Sequence, residues 1–225
     1  MTSSPSRIRA WDLPTRIFHW ALAALVVFSF TTGTIGGDWM AWHLRSGYAV
    51  LTLLLFRVAW GVAGSETARF GHFLRGPRAV VEYARLTLGG RHPPGVGHNP
   101  LGGWMVVAML AALAFQAATG LFSDDEIATQ GPLAVKVSNA LVSRMSRLHD
   151  VGRWIVVALA ALHVTAIAIY RWAWGVRLAG SMVTGWMEAP GGAQEPRVRS
   201  AALAAIFLAV AAAAVYALVE IYPMR

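Results

Sequence analysis

Cysteine is absent from the 225 residues, which removes disulfides, iron–sulfur clusters and thiolate metal sites and leaves histidine as the one good nitrogen ligand. Charge is scarce too: 13% of the residues are charged against 56% hydrophobic, with a mean hydropathy of +0.52. A soluble domain does not have that balance, so the chain is expected in a lipid bilayer. Acidic residues are few, 11 against 19 Lys and Arg, and the resulting pI of about 11.0 invites a nucleic-acid reading. That reading fails once the arginines are placed along the chain, as shown below. No internal repeat stands out, and the only low-complexity tract is an alanine-rich stretch near the C-terminus.

A helix needs about 20 apolar residues to cross the hydrocarbon core. Five runs meet this, at about 15–35, 47–64, 101–122, 151–172 and 201–222. The first is as long as a spanning helix and no small-residue cleavage site follows it, so it is expected to be retained rather than removed as an export signal. The organisation expected is an all-α membrane protein: a four-helix bundle over 1–187, a flexible Pro- and Gly-rich linker over 188–199, and an additional C-terminal spanning helix over 200–225. With the N-terminus in the cytoplasm, 13 of the 19 basic residues fall inside, and net charge is +8 inside and 0 outside. This matches the positive-inside rule, so topology explains the excess arginine and no nucleic-acid partner is implied. Between the second and third spans, Gly76 to Gly90 can form a helix on the membrane surface or an ordered loop. Between the third and fourth, the acidic triplet Asp124, Asp125 and Glu126 precedes an amphipathic segment that can close over the outer end as a lid.

Seven histidines are present. His72, His92 and His98 fall in the inner link, where water solvates them. His19, His43, His149 and His163 lie in or at the mouth of spans, where ionisable residues are costly and usually functional. The fourteen residues from His149 to His163 advance a helix to within about 40° of four full turns, so both project from one face, about 21 Å apart along the axis. That is too far for one ion but suits two haems stacked along a bundle, each taking its second axial ligand from a neighbouring helix. Depth pairs His43 with His149 and His19 with His163. Two neutral imidazoles fill both axial positions of a haem iron, which then only changes oxidation state. A metal-bound neutral histidine also avoids the penalty of a buried charge.

The stretches WDLPTRIFHW (11–20), WHLRSGYAVLTLLLFRVAWGVAG (42–64), GHNPLGGWMVVAML (97–110), QAATGLF (116–122) and RLHDVGRWIVVALAALHV (147–164) resemble the bacterial cytochrome b561 family, related to the cytochrome b subunits of nickel–iron hydrogenases. The resemblance covers about Ile8 to Met187. It implies a four-helix bundle in the cytoplasmic membrane, two haem b groups on His19, His43, His149 and His163, and electron exchange with quinone. The fifth span lies outside that pattern.

Other residues follow from this reading. Gly47, Gly152 and Gly120 are expected either to let porphyrin approach the backbone or to allow close helix crossing. Arg45, Arg144, Arg147 and Arg153 on the outer side, and Arg16 and Arg57 toward the inner side, are candidate partners of haem propionates. His98 with Asn99 is the candidate quinone contact, with helix capping by Asn99 the competing role. The function expected is electron transfer between quinone and a periplasmic partner such as a small soluble cytochrome, which the acidic triplet could meet unless it is only a solvated loop. The rivals are a proton-coupled transporter using His163 and Arg57, and a non-redox membrane anchor. Oligomeric state is not legible.

Overall fold

A computed structural model describes residues 6–91, 95–189 and 192–224; His92 and Arg225, both placed above by sequence, lie outside them. Among the described residues five helices are long and apolar enough to cross a membrane, Leu13–Ile35, Gly37–Ala63, Pro100–Gly120, Asn139–Ala173 and Ala201–Ile221. The chain is an all-α membrane protein, as expected. In order, the elements are β1 (Ser6–Arg9), α1 (Leu13–Ile35), α2 (Met40–Ala63) entered through a 3-10 turn at Gly37–Trp39, α3 (Phe70–Phe73), α4 (Pro77–Leu88), α5 (Pro100–Gly120), α6 (Asn139–Ala173), α7 (Leu178–Thr184), β2 (Trp186–Ala189) and α8 (Ala201–Tyr216), which continues through a π turn to Ile221.

Two span boundaries differ from the sequence reading, and both changes move a histidine. The second span begins at Met40 rather than 47. The break before it comes at Gly36 and Gly37, whose φ values of 69° and 56° are left-handed, while Gly47 sits inside the helix. His43 is therefore in the first turn of α2 rather than before the helix. The fourth span begins at Asn139 rather than 151. Nothing between Ser138 and Gly152 breaks a helix, and Ser138 accepts the Leu141 N–H at the start. The segment expected as a lid is thus continuous with the span from Asn139 onward, and His149 lies ten residues inside it.

The chain separates into two compact units that divide each spanning helix between them. The described residues within 1–17, 58–108 and 162–204 form the first. Here Asp12 starts α1: one carboxylate oxygen accepts the Thr15 N–H at 2.8 Å and the other accepts the indole N–H of Trp60 at 3.0 Å. Trp60 is fully buried. The indole of Trp11 donates to Ser181 Oγ at 3.2 Å, and Gly185, at φ 86°, receives the N–H groups of Ala10 and Trp11. A Cβ at Gly185 would stand 2.9 Å from the Trp11 carbonyl oxygen, so a side chain is excluded there. β1 and β2 pair antiparallel, with Ser6 opposite Ala189. The stretch expected as a flexible linker is pinned instead. Its first two residues, Glu188 and Ala189, belong to β2, and beyond it Glu195 accepts the Arg9 N–H, Arg197 exchanges bonds with Glu66, and the Arg199 N–H donates to Ser65 Oγ. The Arg197 N–H donating to the Glu66 carboxylate holds that carboxyl below the usual range.

α4 takes the helical alternative offered by the sequence, entered by Pro77 and left by Gly89 and Gly90. Its exposed side carries Arg78, Val81 and Arg85 while Tyr83 and Thr87 are buried.

Residues 18–57, 109–161 and 205–225 form the second unit. Its core is Val50 and Leu54 of α2 with Leu113 of α5, surrounded by Leu22, Leu25 and Val26 of α1 and Val156 of α6. The fifth spanning helix buries Ala211, Val215 and Val219, one face by their spacing, and the amine of Lys136 lies over the Tyr222 ring. The acidic triplet builds its own turn. Asp124 accepts the Glu126 N–H and the Gln130 amide, and Asp125 accepts the N–H groups of Ile127, Ala128 and Thr129. Partial burial alone would push the Asp125 carboxyl up, but those three donors together hold it below the usual range. The turn's stabilisation is therefore complete above the ordinary carboxylate pKa of about 3.9 and is lost as pH falls through the lower folded value. Amide exchange at Ile127, Ala128 and Thr129 should stay slow down to that point and then accelerate, and Asp125→Asn should accelerate it already at neutral pH.

Candidate functional site

Two of the four span histidines meet inside the second unit. The rings of His43, on α2, and His149, on α6, have centroids 6.0 Å apart and planes at 85°. Each ring is held by a main-chain carbonyl of another helix. The Nδ1 of His43 lies 2.9 Å from the Ser29 carbonyl oxygen of α1, and the Nδ1 of His149 lies 2.9 Å from the Gln116 carbonyl oxygen of α5. A carbonyl only accepts, so both Nδ1 atoms carry the proton and both Nε2 atoms keep a lone pair. This is the arrangement that orients a metal-ligating imidazole and raises its basicity.

Two glycines make room for the rings. A Cβ at Gly33 would stand 2.7 Å from His43 Nδ1, and one at Gly120 would stand 2.8 Å from His149 Cε1. Gly120 thus leaves room for an imidazole. The parallel goes further: Thr32 and Thr119, both almost fully buried, donate to the carbonyls of Phe28 and Ser29, and of Phe115 and Gln116, respectively. FSFTTG at 28–33 and FQAATG at 115–120 are one short motif, F-x-x-x-T-G, used twice. The sequence reading found no internal repeat and missed Ser29, Thr32, Gly33 and Thr119. The repeated hexapeptide was the available signal.

The two Nδ1-protonated imidazoles are a donor pair of the kind that would hold a haem iron. One side chain stands in the way: the Gln116 amide donates to His149 Nε2 at 3.2 Å, using the lone pair a metal would take, so it has to turn aside for ligation. Among the described residues no group of three or more His, Asp or Glu gathers as a metal-binding cluster.

The family described as prokaryotic cytochrome b561 matches residues 10–185. The chain belongs to this family. No curated protein matches it. Membership makes this cytochrome a multi-pass bacterial membrane protein that binds b-type haem and transfers electrons across the membrane. The match ends before α8, so the fifth helix is an addition to the family region.

The other residues singled out by sequence are distributed as follows. His19 packs edge-on to Trp20, at 4.9 Å between centroids. His163 lies on the same unbroken helix as His149. Gly47 of the cytochrome faces open space, where an added Cβ meets nothing within 4 Å, whereas a Cβ at Gly152 would meet the side chains of Gln116 and Phe115 of α5. Arg57 is 2% exposed, with its guanidinium 6.0 Å from the Phe18 ring. Arg45 lies over Trp42, Arg153 pairs with Asp150 at 2.7 Å, and Arg144 and Arg147 are exposed. The guanidinium of Arg16 donates to the Val183 carbonyl.

His98 is not the solvated residue expected from its position in the inner link. It sits between Trp11 and Phe73, at 4.7 and 4.6 Å between centroids. Beside it, Asn99 caps α5, its side-chain oxygen accepting the Gly102 N–H at 2.7 Å, while its amide donates to the Tyr170 hydroxyl at 3.1 Å. Tyr170 also shares a hydrogen bond with Tyr83 of α4 at 3.0 Å.

Proposed function

We propose that the chain carries electrons through two b haems, one between His43 and His149 and the other on His19 and His163, linking the quinone pool to a periplasmic redox partner. The observation that supports this best is the His43–His149 pair, with both Nδ1 protons given to main-chain carbonyls. Haem supplies a one-electron centre; the protein's part is to fill its axial positions, so that no small molecule binds iron, and to set ring orientation and basicity. The second haem is assigned from sequence spacing and the family resemblance.

The arginine distribution supports a cytoplasmic N-terminus. On that side a quinone needs groups that exchange protons, and Asn99, Tyr170 and Tyr83 are joined by hydrogen bonds with His98 one residue from Asn99. Tyr170 stands seven residues after His163, so it shares a helix face with it, about 10 Å along the axis. A quinone headgroup at this cluster would meet both a proton carrier and the face that bears a haem ligand. The periplasmic partner is a soluble redox protein such as a small cytochrome.

Stopped-flow reduction by a short-chain quinol tests the assignment. Tyr170→Phe should slow quinol-driven haem reduction by about a hundredfold or more, the lower end of the range for losing a proton-transfer group, while dithionite still reduces all the haem. Equal quinol rates in wild type and variant would remove the cluster from the electron path.

A further inference from the structure

The duplicated F-x-x-x-T-G motif does more than make space. In each copy the carbonyl that receives the histidine proton also receives a threonine hydroxyl: Thr32 Oγ1 lies 3.1 Å from Ser29 O, and Thr119 Oγ1 lies 3.0 Å from Gln116 O. Each hydroxyl is at the same time 2.9 Å from the carbonyl one residue earlier, Phe28 O or Phe115 O, so its proton is shared between two acceptors. Threonines of membrane helices commonly bond back to their own helix. Here one of the two acceptors is the group that orients a ligand.

We infer that Thr32 and Thr119 are positioning residues that weaken the hydrogen bond from Nδ1 to its carbonyl, and so set the basicity of the two ligating imidazoles and the reduction potential of the haem they would hold. This rests on the reading of His43 and His149 as ligands. A carbonyl already accepting a hydroxyl proton is a poorer acceptor for Nδ1–H. With that competitor removed, the imidazole shifts toward imidazolate, becomes a stronger donor to iron and favours the ferric state.

The two copies are not identical, and the difference sharpens the inference. Thr119 Oγ1 is also 3.3 Å from His149 Nδ1, where it is a second, weaker acceptor for the same proton. At His43 that place is taken by Ser29 Oγ, also at 3.3 Å, and Thr32 only competes. Losing the Thr32 hydroxyl therefore removes a competitor alone, whereas losing the Thr119 hydroxyl removes a competitor and a helper together.

Redox titration of the purified holoprotein, monitored in the visible band and by ferric EPR, tests this. Thr32→Val keeps shape and helix and should retain both haems, lower one midpoint potential and leave the other in place. Thr119→Val should move the same potential by less. Thr32→Ser, which restores the hydroxyl, should return the wild-type potential. The large angle between the ring planes, 85°, should appear as a strongly anisotropic low-spin ferric signal in all three. Unchanged potentials in both valine variants, or a Thr32→Ser protein that behaves like the valine one, would overturn the inference and reduce the threonines to helix packing. His43→Ala run in parallel separates this from the underlying reading: if that protein folds and keeps both haems, His43 is no ligand and the inference fails with it.

Discussion

His43→Ala and His149→Ala, each made alone, should remove about half of the bound haem and leave the other half with its own band and potential, because on the proposed assignment each variant would strip a ligand from one iron and none from the other. The double variant should lose no more than either single one. That non-additivity is the mark of two residues serving one centre. If the histidines only bonded between helices, both variants would keep the wild-type spectrum. Haem quantified as the pyridine complex against protein mass checks this directly. Because each ring is half-buried, its loss removes few packing contacts, and retention of helical circular dichroism confirms that the loss of haem is local.

The second large effect belongs to the glycines beneath the rings. In Gly33→Ala the new methyl would lie 2.7 Å from His43 Nδ1, and in Gly120→Ala 2.8 Å from His149 Cε1. Neither ring can swing aside without giving up the carbonyl bond that fixes it, since that bond and the methyl belong to the same turn of the facing helix. Each variant should therefore cost about 1–3 kcal/mol of overpacking and lower occupancy of the same haem that the histidine variants remove, with the second haem untouched. Gly47→Ala provides the contrast. Its methyl meets no protein atom within 4 Å, so any loss of haem there reports contact with the cofactor itself. Thermal melting followed at the haem band distinguishes the three.

What could be read in the sequence and what could not divide along physical lines. Hydropathy and the 20-residue length requirement marked five spans because lipid imposes that length whatever the packing. Boundaries were weaker where a glycine looked like a terminus. Gly47 is an interior helix residue, and the real break is the left-handed pair Gly36 and Gly37. The amphipathic run after Ser138 read as a separate lid because its apolar face is interrupted by charge, yet it has no helix breaker and continues into the span. Among site residues, His43 and His149 were recognisable because ionisable groups are rare in lipid. Ser29 and Gln116 were not, since they act through main-chain carbonyls that every residue owns. Thr32 and Thr119 were hidden for a related reason: a hydroxyl bonded to its own helix is ordinary in a membrane, and only the facing ring gives it a task. The linker after β2 looked flexible by its Pro and Gly content, but its anchors, Glu66 and Ser65, lie more than a hundred residues earlier and no local pattern announces them.

The measurement that bears most directly on the whole account is the haem-to-protein ratio of the purified protein produced with ample porphyrin supply, taken together with its reduced-minus-oxidised spectrum. Two b-type haems per chain, low-spin and unreactive toward carbon monoxide because both axial positions are filled by histidine, are expected. A folded, monodisperse preparation with no haem, or with haem that binds carbon monoxide at the His43–His149 pair, would contradict it.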